Sequence, residues 1–511
     1  MSKPRTSSFI FELPLQVQLE DERIMLGRFE AGRRLYNVLL QEGLARLALM
    51  RESKAWQAAR QLPKGPERTA AFRACAARFE FNEYALHARA AHHKNAAGFA
   101  DRMSANELQK LATRVWKAVS EYAFGQRGKP RFKSAHKPLH SLEGKSNKQG
   151  IRWQRETGGV AWNGIYLPAR LPTAAQDPYA TEALKARTKY VRLVWRMEKG
   201  HRRWFAQLVQ EGDAPQKYEF LAGPQKVGLD VGPSTVAIVS ERAVALARFA
   251  PGVEAPAAHQ RRLQRALDRS RRATNPTHYH ADRTAKKGAR QWHRSKRYQR
   301  IAAEIAELER RLAATRKKEH GTLANQVLGL GTVIQTEALS YKTLQRCYGR
   351  SVKNRAPGAF IQLLSRKAAS AGGELVELNT WRLKMSQYDH VTETCTKKPL
   401  SQRWHPLGES DLLVQRDCYS AFLARCVEEG EHNSCLLQKS WPAAEPLLRR
   451  AGLCLSQPTS GHYPVVPTVA IPSESVARRR ILMRGLSREV VSGNAENPTA
   501  PRRNGSRTCR L

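Results

Sequence analysis

The stretch Val227 to Ser240, VGLDVGPSTVAIVS, sets one carboxylate inside an apolar run that otherwise reads as a buried strand. Strand alternation puts Val227, Leu229 and Val231 on one face and Gly228, Asp230 and Gly232 on the other. A buried acid costs free energy unless something pairs with it, so a fold that contains this strand must also contain a use for Asp230. The two glycines leave room for a large group to approach, and Gly232-Pro233 ends the apolar run.

Two further acids stand in informative settings. Glu337 closes the β-prone segment GTVIQTEAL, where its carboxylate would emerge as the strand stops. Asp417, in VQRDCYSAFLARC, falls at an expected helix start whose Tyr419, Phe422, Leu423 and Cys426 would pack inward. An acid at a helix N-terminus is an ordinary cap, so Asp417 alone reads as structural. The combination reads differently. A strand Asp, a strand-end Glu and a helix-start Asp suit hard divalent cations. Two Mg²⁺ ions about 4 Å apart could activate a water and stabilise the leaving oxygen of a phosphodiester. The separations of 107 and 80 residues require the fold to bring the three together.

Charge points to the substrate. Lys and Arg number 87 against 45 Asp and Glu, a formal net charge of +42, which makes a polyanion the expected partner. Nucleic acid ranks ahead of membrane, because no run of about 18 apolar residues occurs and MSKPRTSSFIFELPL lacks a signal-peptide core. A cytosolic location is expected. From His259 to Arg300, fourteen Lys or Arg face only Asp268 and Asp282, with Tyr279, Trp292 and Tyr298 interleaved. Arg262, Arg265, Arg271, Arg272, Arg294, Lys296 and Arg297 are expected on phosphates and Trp292 on bases, although charge runs are commonly solvated faces. In GKPRFKS, Lys129, Arg131 and Lys133 form a second basic strip. The eight cysteines form no CxxC pair and read as small buried hydrophobes in a reducing compartment.

The pattern along the chain predicts a mixed α/β multidomain protein. FIFELPLQVQL reads as a strand, followed by helix from about Arg28 to Met50 and by SANELQKLATRVWKAVSEYAF, opened by a Ser104/Glu107 capping box. Residues 27–125 are expected as a helical lobe, and 1–26 with 126–220 as a small β-rich domain. The helix YQRIAAEIAELERRLAATRKKEH carries a packing stripe of Ile301, Ile305, Leu308 and Leu312. Residues 431–511 lose periodicity and gain Pro, Ser, Gly and Asn, which predicts a mostly disordered basic extension.

VGLDVGPSTVAIVS, IQTEALSYKTLQRCYGRSVKN and VQRDCYSAFLA together resemble the three RuvC motifs of TnpB and the compact type V CRISPR effectors, RNA-guided DNA nucleases. RRLQRALDRSRRATNP and GKPRFKS also resemble pieces of that family, so the likeness covers roughly residues 8 to 430. The resemblance implies an RNase H-like (RuvC) nuclease domain over 221–430 with a basic helical insertion at 256–320. Before it, the resemblance implies a β-rich wedge and a helical recognition lobe, which bind guide RNA and the short flanking motif. It implies Asp230, Glu337 and Asp417 as catalytic ligands of two Mg²⁺. It also implies a guide RNA, from a CRISPR array or a transposon end, and double-stranded target DNA as partners, with one or two copies of the chain on one guide.

One departure concerns zinc. The family carries a ribbon of paired CxxC knuckles before the third acid, whereas 385–415 offers Cys395, His390 and His405, with Cys418 beyond, at other spacings. Zinc is not expected there, and Trp404, Leu400 and Leu407 are expected to staple the segment by packing. Three other readings stay open on sequence alone. One is a guided DNA-binding repressor with little cleavage, and another is a guide-free transposase or resolvase. The third is an actin-like ATPase, whose phosphate loop LDVGPSTVAIV also resembles.

Overall fold

The computed structural model describes residues 6–96, 102–173, 175–254, 257–288, 291–399, 401–456 and 465–480. The chain divides into two units, Met1–Pro215 and Gln216–Leu511.

In the first unit, β1 (Ser8–Pro14) is followed by α1 (Leu19–Glu52) and, after three shorter helices, by α2 (Ala105–Ala123). Strands β2 (Ser141–Glu143), β3 (Thr188–Glu198) and β4 (His201–Glu211) complete an antiparallel sheet ordered β1-β4-β3-β2. A three-stranded sheet of Ile151–Gln154, Gly159–Trp162 and Ile165–Pro168 accompanies it. One core serves helices and sheets alike: Phe29 and Leu35 of α1 and Leu111 of α2 share it with Trp162, Leu193 and Trp204. The residues expected as a helical lobe and as a β-rich domain thus share one core in this unit. The capping-box residue Glu107 shows how the two merge. Its carboxylate accepts from the Ser104 backbone N–H at 2.5 Å and from that of Ile151, in the small sheet, at 3.2 Å. Arg28 adds a second tie, donating from α1 to the carbonyls of Trp162 and Asn163 at 2.6 and 2.7 Å.

The second unit is built on five strands: β5 (Lys226–Val231), β6 (Thr235–Val239), β7 (Val244–Arg248), β8 (Val333–Glu337) and β9 (Glu374–Leu378). Their order is β7-β6-β5-β8-β9, with β5 antiparallel to β6 and β6 to β7, while β8 runs parallel to both β5 and β9. Helices α3 (Ala257–Thr274), α4 (Lys296–Leu328), α5 (Tyr341–Arg355), α6 (Pro357–Ser370), α7 (Arg416–Arg425) and α8 (Ser434–Arg450) complete it. The alternation read from the sequence decides the layers. Val227, Leu229 and Val231 pack with Leu323 and Val327 of α4 and Phe360 and Leu364 of α6. The opposite face of the sheet, with Ala237 and Val239, packs with Tyr419, Phe422 and Leu423 of α7 and Leu448 of α8.

Two expectations are corrected by the ends of this unit. Tyr218–Phe220, assigned from sequence to the first β-rich domain, pairs with Arg478–Arg480 in the second unit. The expected disorder from residue 431 gives way to α8, whose Leu437, Ala444 and Leu448 are buried, and to strand Cys454–Ser456 on the segment Leu412–Gln415. Residues 457–464 and 481–511 of that extension lie outside the described residues. Among the described residues, no helix is long and apolar enough to cross a membrane.

Helix α7 lies on β5 at a position only glycine permits. A Cβ on Gly228 would meet the Ala421 carbonyl and the Arg425 backbone nitrogen. Gly228→Ala is therefore expected to lower stability by about 3 kcal/mol, by forcing α7 off the sheet. Urea denaturation checks this, and an unchanged midpoint would refute the close approach.

Candidate active site

The close approach at Gly228 fixes the register between α7 and β5. Lys226 at the start of β5 pairs with Glu428, beyond the end of α7, at 3.0 Å, so the helix runs against the strand direction. From Gly228 to Asp230 is two strand residues, about 7 Å. From Ala421 back to Asp417 is four helix residues, about 6 Å. Asp417 therefore arrives beside Asp230. On the other side, the parallel register pairs Gln335 with Gly228 and Thr336 with Leu229, so Glu337 follows at the level of Asp230 one strand away. Ala237 stands opposite Asp230 on β6, a small residue that leaves the acid room.

Helix α7 does not use Asp417 as its cap. Gln415 does that, its side-chain oxygen accepting from the Cys418 backbone N–H at 2.7 Å. The carboxylate of Asp417 is thus left to the site, and the cap reading is set aside. The residues expected to pack inward, Tyr419, Phe422, Leu423 and Cys426, are all buried.

Electrostatics register the convergence. Burial raises the Asp230 carboxyl well above its ordinary 3.8, and the neighbouring charges of Asp417 and Glu337 raise it further, against a smaller opposing pull from Arg416. Burial likewise raises Glu337, opposed by a hydrogen bond from the Met385 backbone N–H and by Arg416. Arg416 is the site residue that sequence reasoning missed. It sits one position before Asp417, where a basic residue in so basic a chain gives no signal of its own. Its guanidinium donates to the carbonyls of Pro399 and Gln402, at 3.1 and 3.4 Å, while its buried Nε finds no partner.

Three carboxylates at one end of a sheet, one of them held toward its protonated form by burial and then by the other two, suit hard divalent cations in donor type and in charge. Among the described residues, however, no three His, Cys, Asp or Glu side chains are gathered into one ready ligand set. The fit is one of donor chemistry and neighbourhood.

The four candidate zinc ligands are not brought together. Cys395 is exposed, and the buried Cys418 thiol lies 3.9 Å from the Ala245 carbonyl. His390 and His405 belong instead to a buried polar network. Asp389 accepts from the backbone N–H groups of Val391 and Gly408 at 2.9 and 2.8 Å and lies 3.6 Å from His405. Lys398 contacts the same imidazole, the His405 ring stacks on Tyr419 at 4.5 Å, and Tyr419 meets His390 Nδ1 at 2.7 Å. Of the expected apolar staple, Trp404 and Leu407 are buried, and Leu400 lies outside the described residues.

The basic candidates divide by environment. Arg262, Arg265, Arg294, Lys296 and Arg297 are exposed, whereas Arg271 and Arg272 are half-buried. Trp292 is not an open platform: the Arg271 guanidinium lies 3.8 Å over its ring, and His278 and Tyr279 pack edge-on to it. Trp292, expected on bases, is packed within its own segment by these three residues. Lys129 and Arg131 are exposed, while the Lys133 backbone is strapped to α1 through Arg33 and Asn37. The first unit also holds an open cleft of about 510 Å³, its lining including Lys110, Arg114, Lys117 and Arg192. Three of these cations, Lys110, Arg114 and Lys117, share one face of α2, and Arg192 joins them from β3.

No family model matches the chain, and no curated protein matches it. Among solved structures, the chain is similar to Cas12f1 in a Cas12f1–sgRNA–target DNA complex, at 12% identity and a TM-score of 0.42, covering 81% of this chain and 98% of that one. It is also similar to a chain of a CRISPR-Cas12f ternary complex, at 12% identity and a TM-score of 0.27, covering 82% and 87%. At these scores neither likeness bears on what the chain does.

Two outcomes test the site. Because burial and then the two neighbouring acids raise Asp230 in the folded chain above its unfolded value, its contribution to stability is full below about pH 4 and is lost as pH rises through the folded pKa. Asp230→Asn is therefore expected to raise the urea midpoint in EDTA at pH 8, with the gain shrinking toward pH 4; a gain independent of pH would refute the electrostatic account. Asp389→Ala is expected to cost about 2–3 kcal/mol by orphaning the buried network, with no stoichiometric zinc in the purified wild type. Zinc at one ion per chain would overturn that assignment.

Proposed function

We propose that the chain is an RNA-guided DNA endonuclease whose hydrolytic site is Asp230, Glu337 and Asp417. The observation that carries this reading is the convergence of those three acids, from β5, β8 and α7, at one end of the second unit's sheet. The sheet order, three antiparallel strands flanked by two parallel ones, supports an RNase H-like (RuvC) domain. The net charge of +42 supports a partner with many phosphates, and the motif resemblance makes that partner a guide RNA together with matched DNA beside a short flanking motif.

In this reading the three carboxylates hold Mg²⁺. The ions, when bound, supply water activation and charge stabilisation at the leaving oxygen. The chain contributes the rest. The close packing of α7 on Gly228 keeps Asp417 at the level of Asp230. The Met385 N–H orients the Glu337 carboxylate, and Arg416 offsets part of the negative charge before metal arrives. The exposed cations of 257–300 and of Lys129 and Arg131 serve the nucleic-acid backbone.

A second reading is a guided DNA-binding repressor, favoured by the absence of a ready ligand set among the described residues. One experiment separates the two. The chain is purified, its co-purifying RNA sequenced, and matched duplex DNA offered with Mg²⁺. Cleavage that falls about a hundred- to thousandfold in each of Asp230→Ala, Glu337→Ala and Asp417→Ala supports the nuclease. Guide-dependent binding without cleavage supports the repressor, and cleavage that survives all three substitutions refutes the site.

A further inference from the structure

The segment after β9, which includes the one-turn helix Thr380–Leu383, performs two tasks that do not require each other. It delivers the Met385 N–H to Glu337, and it holds an indole in water: Trp381 is 90% exposed. A frayed loop would explain such exposure cheaply, but this loop is tied at several points. Asn379 Oδ1 accepts from the backbone N–H groups of Trp381 and Arg382 at 3.0 and 3.2 Å. The Thr380 hydroxyl donates to the Ala338 carbonyl, one residue past Glu337, at 3.1 Å. Arg382 pairs with Glu431, and Leu383 and Met385 are buried in the core. The indole is therefore presented by a fixed backbone beside the carboxylates, at no evident gain to folding.

The other side of the site is cationic. Helix α5 starts from its Ser340 cap three residues after Glu337, and its Ser351 hydroxyl donates to the Pro233 carbonyl in the turn that follows Asp230. Its Lys342, Arg346 and Arg350 are exposed. In sheet order, the turn between β5 and β6 lies to one side of Glu337 and the Trp381 loop to the other. Cations that suit phosphates and one open aromatic face thus flank the three acids. A paired base hides its faces in the stack, whereas an unpaired base offers a π-face whatever its identity.

We propose that Trp381 stacks on an unpaired nucleobase of the strand presented to Asp230, Glu337 and Asp417, while the α5 cations hold that strand's phosphates. Trp381 is then a positioning residue that sets which phosphodiester reaches the acids. This inference rests on the nuclease reading, and its test keeps the two apart. In the complete, guide-loaded chain, Trp381→Ala is expected to raise KM for single-stranded DNA about five- to hundredfold with a smaller change in kcat, and Trp381→Phe to restore most of it. A single abasic position at a fixed distance from the cut should reproduce the loss in wild type and add nothing in Trp381→Ala. Unchanged kinetics in Trp381→Ala, or abasic losses that persist in it, overturn the proposal. Single-stranded DNA affinity measured in an Asp230→Asn background gives the independent arm. If the wild type cuts no DNA, the nuclease reading fails; weaker binding on adding Trp381→Ala still upholds the stacking role, and equal binding overturns it.

Discussion

Everything distinctive about the second unit depends on one contact, the seating of α7 against the bare backbone of Gly228. Helices usually stand about 10 Å from a sheet because side chains intervene. Here the Ala421 carbonyl and Arg425 nitrogen occupy the space a Cβ would take. That closeness lets Asp417, at the first turn of the helix, reach the level of Asp230 in the strand beneath. The same seating explains why Ala237 and Gly228, rather than larger residues, surround the acid on its own face.

The site is stabilised from outside rather than from within. Burial penalises the charge of Asp230 and Glu337, and Asp417 and Glu337 add repulsion at Asp230. The compensation comes from two apolar layers, one with α4 and α6 and one with α7 and α8. The Asp389–His405–Tyr419 network fastens the segment that leads into α7.

Much of this was legible in the sequence, for identifiable reasons. Asp230, Glu337 and the inward residues of α7 followed from periodicity, because strand and helix periods constrain which side chains share a face. Helix α1 was read as starting near Arg28 and begins at Leu19, since its acidic first turn of Glu20, Asp21 and Glu22 favours a helix N-terminus without adding apolar periodicity. Helix α8 holds Pro442 and Pro446, which interrupt helical periodicity, yet Leu437, Ala444 and Leu448 bury one face regardless. Trp292 looked like a stacking residue from composition, but its partners Arg271, His278 and Tyr279 are supplied locally. Trp381 carried no pattern at all. Only its place in the loop bound to Glu337 distinguishes it from any other aromatic residue.

The central claim is that Asp230, Glu337 and Asp417 form one divalent-cation site. Calorimetric titration of the intact chain with Mn²⁺ or Mg²⁺ tests it most directly, without reference to any nucleic acid. The account predicts binding in the wild type that weakens sharply in Asp230→Asn, Glu337→Gln and Asp417→Asn alike. Binding that any one of these substitutions leaves unchanged would contradict it.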